Sequence, residues 1–163
     1  NEKKKKLRKR MVATQKCPWR KKLLIGEVDD DNAWAVGGVD GHAGLFGDAV
    51  SVYMVCCEIL NAIQDNPTKV LDANIIKAFV QRKNKQDMVA GFDTPSKEKS
   101  SSGSYFSSRS IGHLGFTGTS FWIDPEISLI VILLTNRVHP SRTNEGIKEI
   151  RPLIHDLVYS ELI

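Results

Sequence analysis

The nine residues Gly112-His113-Leu114-Gly115-Phe116-Thr117-Gly118-Thr119-Ser120 have the spacing in this chain that comes closest to chemistry. Glycines at 112, 115 and 118 match part of a phosphate-cradling loop. That reading fails because no Lys-Ser or Lys-Thr pair follows, and the next residues read as a strand rather than the opening of a helix. A strand that carries a polar side chain, then one residue, then glycine offers different chemistry. The glycine can keep one face clear so that a substrate backbone lies along the strand edge, and the backbone N–H just past it can point at a developing oxyanion. The plain alternative is a hairpin with a surface histidine. These nine residues alone leave both readings open.

Other polar residues are weaker candidates. His42 lies in a glycine-rich stretch and reads as structural. His139 and His155 have no metal-ligand spacing with each other or with Asp or Glu, so no metal site is expected. Asp29-Asp30-Asp31 lacks the glycine and terminal glutamate of a calcium loop and reads as a solvated turn. Arg137, just past an apolar run, could pair with a carboxylate or anchor the last helix. Cys17, Cys56 and Cys57 are odd in number and without metal spacing, which suits buried free thiols.

The elements that must position these residues follow from periodicity and punctuation. Residues 27–47, with Gly37, Gly38, Gly41, Gly44 and Gly47, read as a winding loop. A helix is expected from the N-cap Asp48 to Asn66-Pro67, with Ala49, Val52, Tyr53, Cys56, Ile59, Leu60 and Ile63 on its buried face. A second is expected over 72–82, with Ile75, Ile76, Phe79 and Val80 inward. Met88 to Phe92 is a short strand candidate. Residues 94–110, with eight serines, read as an exposed, mobile loop. Three strands follow, 110–116, 119–124 and 128–135, as an antiparallel meander. The unbroken apolar run of the third implies cover on both faces. Asn144 is the expected cap of a terminal helix with a stripe of Ile147, Ile150, Leu153, Ile154, Leu157 and Val158, interrupted by Pro152. The fold class is therefore α+β, helices packed on one antiparallel sheet.

Charge is unevenly placed. Residues 1–22 hold eleven Lys or Arg and one acid, whereas the remaining 141 hold twelve and eighteen, which together give the net +4. The domain division expected is a basic irregular leader, 1–26, and a partial domain, 27–163. With no aromatic residue before Trp19 and no nucleic-acid motif, the leader reads as a solvated segment rather than a nucleic-acid or lipid contact. No apolar run reaches the roughly 18 residues of a membrane helix. No cofactor is expected. The chain opens on Asn1 rather than Met, as a processed product or an excerpt would.

Several stretches, in order, carry a family resemblance. They are Cys17-Pro18-Trp19-Arg20; Gly26-Glu27-Val28 with Asp31-Asn32-Ala33; Gly37-Gly38-Val39 with Gly41-His42-Ala43-Gly44-Leu45-Phe46; Gly91-Phe92-Asp93-Thr94-Pro95-Ser96; Gly112 to Ser120 with Trp122-Ile123-Asp124-Pro125; and Leu133-Leu134-Thr135-Asn136-Arg137-Val138-His139-Pro140. The set resembles the C-terminal half of the serine β-lactamase-like family of penicillin-binding proteins, class C-type β-lactamases and related esterases and peptidases. Coverage is nearly the whole chain. The family works with Ser-x-x-Lys, a Tyr-x-Asn or Ser-x-Asn, and Lys-Thr-Gly or a His variant.

The resemblance places His113-Leu114-Gly115 on the third element. It implies that His113 contacts substrate or tunes the site, that Leu114 and Gly115 line the substrate, and that the Phe116 N–H is half of an oxyanion hole whose other half is the nucleophile's own N–H. Histidine in place of lysine favours an ester or a peptide other than a β-lactam or D-Ala-D-Ala, because lysine is charged near neutrality and histidine only partly so. The nucleophile is expected outside this chain. A literal Ser96-Lys97-Glu98-Lys99 exists, but Ser96 follows Pro95 in a polar loop, whereas the chemistry needs the lysine one turn along a buried helix. None of Tyr53, Tyr105 and Tyr159 is followed two residues later by Asn. The expected whole is a serine hydrolase acting on a small-molecule or peptide substrate, with this chain inactive alone and its partner the missing N-terminal portion of its own domain. The alternative is a non-catalytic module that binds peptide or cell wall in the same groove.

Overall fold

Residues 119–124 alternate two sets of side chains, and the fold builds one core on each set. The structure is a computed structural model that describes residues 7, 9–82 and 88–163. Thr119–Asp124 (β6) is flanked by Ile111–Leu114 (β5) and Leu129–Leu134 (β7), both antiparallel to it. Phe121 and Ile123 point to one face. There Ile123 joins Ile111, Val89 and the Cys56, Ile59 and Leu60 of a long helix, Ala49–Ile63 (α2). Trp122, between them in sequence, points to the other face and packs with Phe106 and Val131, covered by Val158 of the terminal helix Ile147–Leu162 (α4). A side-chain period of two thus places helices on both faces, and the chain is α+β.

Local chemistry accounts for the helix starts. Asp48 accepts the Ser51 N–H at 2.9 Å and caps α2. Asp72 accepts from Asn74 and Ile75 and caps Ala73–Val80 (α3). Glu58 reaches back from α2 to accept the Lys69, Val70 and Leu71 N–H groups, which fastens the link between the two helices. Gly112 is required where it stands: a Cβ there would strike the Trp122 ring.

The structure corrects several expectations. The leader is not irregular throughout. Ala13–Cys17 (β1) and Lys22–Ile25 (β2) form a hairpin, with Cys17 and Leu24 fully buried. It docks on the segment after β7 through Lys16 N–H to Pro140 O and His139 Nδ1 to Thr14 O, both 2.9 Å. Most of the basic run before it lies outside the described residues. A short helix, Asp31–Ala35 (α1), stands within the glycine-rich stretch. The Met88 to Phe92 candidate is two short strands, Met88–Val89 (β3) and Phe92–Asp93 (β4), turned at Gly91 with φ +75°. In α3 only Ile76 and Val80 pack on the core, and Ile75 and Phe79 are exposed.

The serine-rich stretch is pinned rather than loose. Its Ser102 and Ser110 are fully buried, and Ser107 donates its N–H and hydroxyl to the two oxygens of buried Asp124, each at 2.8 Å. The inward face of α4 is Ile147, Arg151 and His155, whereas Ile150, Leu153 and Leu157 of the expected stripe are exposed. Polar carbonyls set that rotation: Arg151 donates to Thr119 O and His155 to Ser101 O. Within the five-stranded sheet β7 is an edge, with Val131 its one buried residue and Leu134 exposed.

Candidate active-site edge

β5 is paired along its length to β6, but β4 pairs with it only at Asp93 and Gly112. Beyond that pair, the outer edge of β5 at His113 and Leu114 has no strand beside it among the described residues. His113 stands on the α2 face opposite Phe121 and is exposed. Its Nδ1 lies 3.0 Å from Leu114 O. A carbonyl only accepts, so Nδ1 is the donor in this contact and Nε2 is the ring nitrogen left to other partners.

The strand ends in a closed turn. Gly115 N–H donates to Thr119 O at 2.8 Å, and Gly118 N–H returns to Gly115 O at 3.0 Å, with Gly118 at φ +112°. Glycine at 115 makes room for Thr119, whose hydroxyl a Cβ would strike. The carbonyls of the next three residues are all taken by the segment after β7. Arg137 Nε donates to Phe116 O at 2.7 Å, Arg137 N–H to Thr117 O at 2.9 Å, and the Thr135 hydroxyl to Gly118 O. The Arg137 guanidinium also lies over the Phe116 ring, 4.4 Å from its centre. No acceptor among the described residues takes the Phe116 N–H.

A second arginine ties this turn to the N-terminal hairpin. Arg142 sits 5.5 Å from the Phe116 ring and pairs with Asp29 and Asp31 at 3.2 and 3.0 Å. Asp31 is shared with Arg20, which is held between the Trp19 and Trp34 rings. The Arg142 bond, and the charge behind it, hold the Asp31 carboxyl below its ordinary range. The aspartate run is therefore an ion-paired knot rather than the solvated turn expected. Arg137 finds carbonyls, not a carboxylate: besides Phe116 O it donates to Arg142 O and Asn144 O, each at 2.9 Å. Sequence gave no signal for Arg142, because pairing with aspartates over a hundred positions away leaves no local pattern.

The other candidates fall elsewhere. Ser96 is exposed on irregular chain, its N–H on the Ser100 hydroxyl, with no helix behind it. His42 pairs with Asp30 at 3.1 Å, and the Ala33 N–H, with this bond second to it, holds the Asp30 carboxyl below its ordinary range. Among the described residues no group of three His, Cys, Asp or Glu is placed to hold a metal, and no helix is long and apolar enough to cross a membrane.

These features belong to a known class. The β-lactamase family model matches residues 6–153, and the chain belongs to that family of serine hydrolases. Among curated relatives are proteins assigned as D-alanyl-D-alanine carboxypeptidases from Salmonella agona, 32% identical over 130 residues, and Salmonella gallinarum, 33% identical over the same length. The match covers 77% of this chain, which spans 30% of the length of those relatives. A crystallised β-lactamase from Mycobacterium bovis shares the fold at a TM-score of 0.59 and 19% identity, over 73% of this chain and 46% of that one.

Proposed function

We propose that this chain supplies the strand edge, His113 and one oxyanion donor of a hydrolase that works through an acyl-enzyme on serine. The observation that carries this reading is the open β5 edge leading into a Phe116 N–H without an acceptor. A substrate carbonyl laid along Leu114 and Gly115 brings its oxygen to that N–H. The serine gives up its hydroxyl proton to a base outside these residues, which later passes it to the leaving group. Oγ bonds to the carbonyl carbon, the carbonyl π electrons move onto oxygen, and the Phe116 N–H and the nucleophile's own N–H stabilise that charge. The C–O or C–N bond then breaks, the leaving group departs with a proton, and water cleaves the acyl-enzyme.

In this reading the nucleophile belongs to the part of the relatives' length that these residues do not span, and the chain alone turns nothing over. The position of Ser96 on exposed irregular chain supports that assignment. His113, with Nδ1 bound to Leu114 O, offers Nε2 to a polar group of the substrate. Lacking the fixed cation of a lysine, this side chain is less suited to a substrate carboxylate.

The test incubates the full-length gene product, and separately residues 1–163, with a chromogenic short-chain ester, a D-alanyl-D-alanine peptide and a fluorescent penicillin. Ester turnover with one stoichiometric serine adduct in the full-length product, and none in the chain alone, is expected. A full-length product that binds peptide but never acylates would establish the non-catalytic module instead.

A further inference from the structure

Resting on that reading of the site, we infer that Arg137 is a positioning residue for the oxyanion donor. The chemistry lies in which groups of the turn are occupied. Arg137 takes Phe116 O with Nε at 2.7 Å and Thr117 O with its own N–H at 2.9 Å, and Thr135 takes Gly118 O. Gly115 O, the carbonyl of the peptide unit that bears the Phe116 N–H, accepts from Gly118 at 3.0 Å. A peptide whose carbonyl already accepts a hydrogen bond has a more polarised N–H, which donates more strongly. That unit therefore carries an occupied acceptor and a free donor.

The guanidinium also fixes the direction of that donor. It lies 4.4 Å from the centre of the Phe116 ring while its Nε holds the backbone of the same residue, so ring and carbonyl are held by one planar group. Its NH1 is itself anchored on Arg142 O and Asn144 O. Lysine cannot reproduce this, because a single ammonium lacks the planar fork that meets three carbonyls at once. Removing the side chain frees Phe116 O and the Phe116 ring and so loosens the residue whose N–H is the donor, and the cost falls on charge developed in the transition state rather than on ground-state binding.

The test compares Arg137→Ala, Arg137→Lys and Thr135→Val with the unaltered full-length gene product in ester turnover. Arg137→Ala is expected to lower kcat about 100-fold with KM within about threefold. Millimolar guanidinium should restore part of that rate in Arg137→Ala and none in the unaltered protein. Arg137→Lys should stay at least tenfold down, and Thr135→Val should show a smaller loss of kcat alone. Should Arg137→Ala fail to fold, Arg137→Lys and Thr135→Val decide the matter by the same split between kcat and KM. An active parent whose variants keep kcat, or lose activity only through KM with no guanidinium rescue, overturns this inference alone. A parent that forms no acyl-enzyme overturns the reading of the site, and this inference with it.

Discussion

The serine-rich segment 94–110 and the turn 115–118 are both irregular, yet they spend their hydrogen-bonding groups in opposite ways. In the first, donors are consumed: the Ser107 N–H and hydroxyl both go to Asp124, and the Ser104 N–H goes to Asp156 Oδ1 at 2.6 Å. In the second, acceptors are consumed. The carbonyls of residues 115–118 are all taken, and the Phe116 N–H remains. A loop that spends its donors on a buried carboxylate holds the fold together. A turn that spends its carbonyls keeps a free N–H, and in the function proposed above it is this second segment that stabilises a developing oxyanion.

The contrast can be broken most forcefully at Asp124. It accepts from Ser107 twice and from the Glu126 N–H at 3.0 Å, so Asp124→Ala leaves those donors buried or unmet. Denaturant unfolding should show a loss of about 3 kcal/mol, while the Phe116 amide resonance stays in place. Movement of that resonance with unchanged stability would mean the two segments are not independent.

A smaller effect tests the helix that the serine-rich segment leans on. Burial pushes the His155 imidazole below its ordinary value, and its bond to Ser101 O opposes this only in part. The unfolded chain therefore takes the proton first. Stability is complete above about pH 6.5 and falls as pH drops below it, until the folded protein also protonates. His155→Gln should flatten the slope of stability against pH below about 6.5. A slope that persists in the variant would assign it to other groups.

Two further variants sharpen the turn's side of the comparison. His113→Lys in the full-length product should raise penicillin labelling, and lower ester turnover, by about tenfold, because a fixed cation favours a carboxylate. Equal changes in both substrates would remove His113 from substrate discrimination. Smallest of all, Ser96→Ala should shift stability by less than about 0.5 kcal/mol and leave labelling as it was. Loss of labelling would make Ser96 the nucleophile.

The meander, α2 and its Asp48 cap were legible because alternation, helical spacing and a capping side chain are local signals. The stripe on α4 misled, since Ile150, Leu153 and Leu157 have the right period yet face outward. Their rotation is set by Arg151 and His155 reaching carbonyls of distant segments. The hairpin over 13–25 was hidden by the charges on Lys16, Lys21 and Lys22, which stay at the surface while Cys17 and Leu24 are buried. At the candidate site, the nine residues from Gly112 were legible as a strand and turn. The Arg137 clamp was not, because a side chain on backbone oxygens twenty-one positions away has no sequence pattern.

Intact-mass and peptide mapping of the full-length gene product after brief exposure to an activated ester tests the central claim most directly. The account predicts one acyl adduct, on a serine that opens a helix and lies outside residues 94–110, and no adduct on residues 1–163 alone. An adduct on Ser96, or an unlabelled full-length protein, would contradict it.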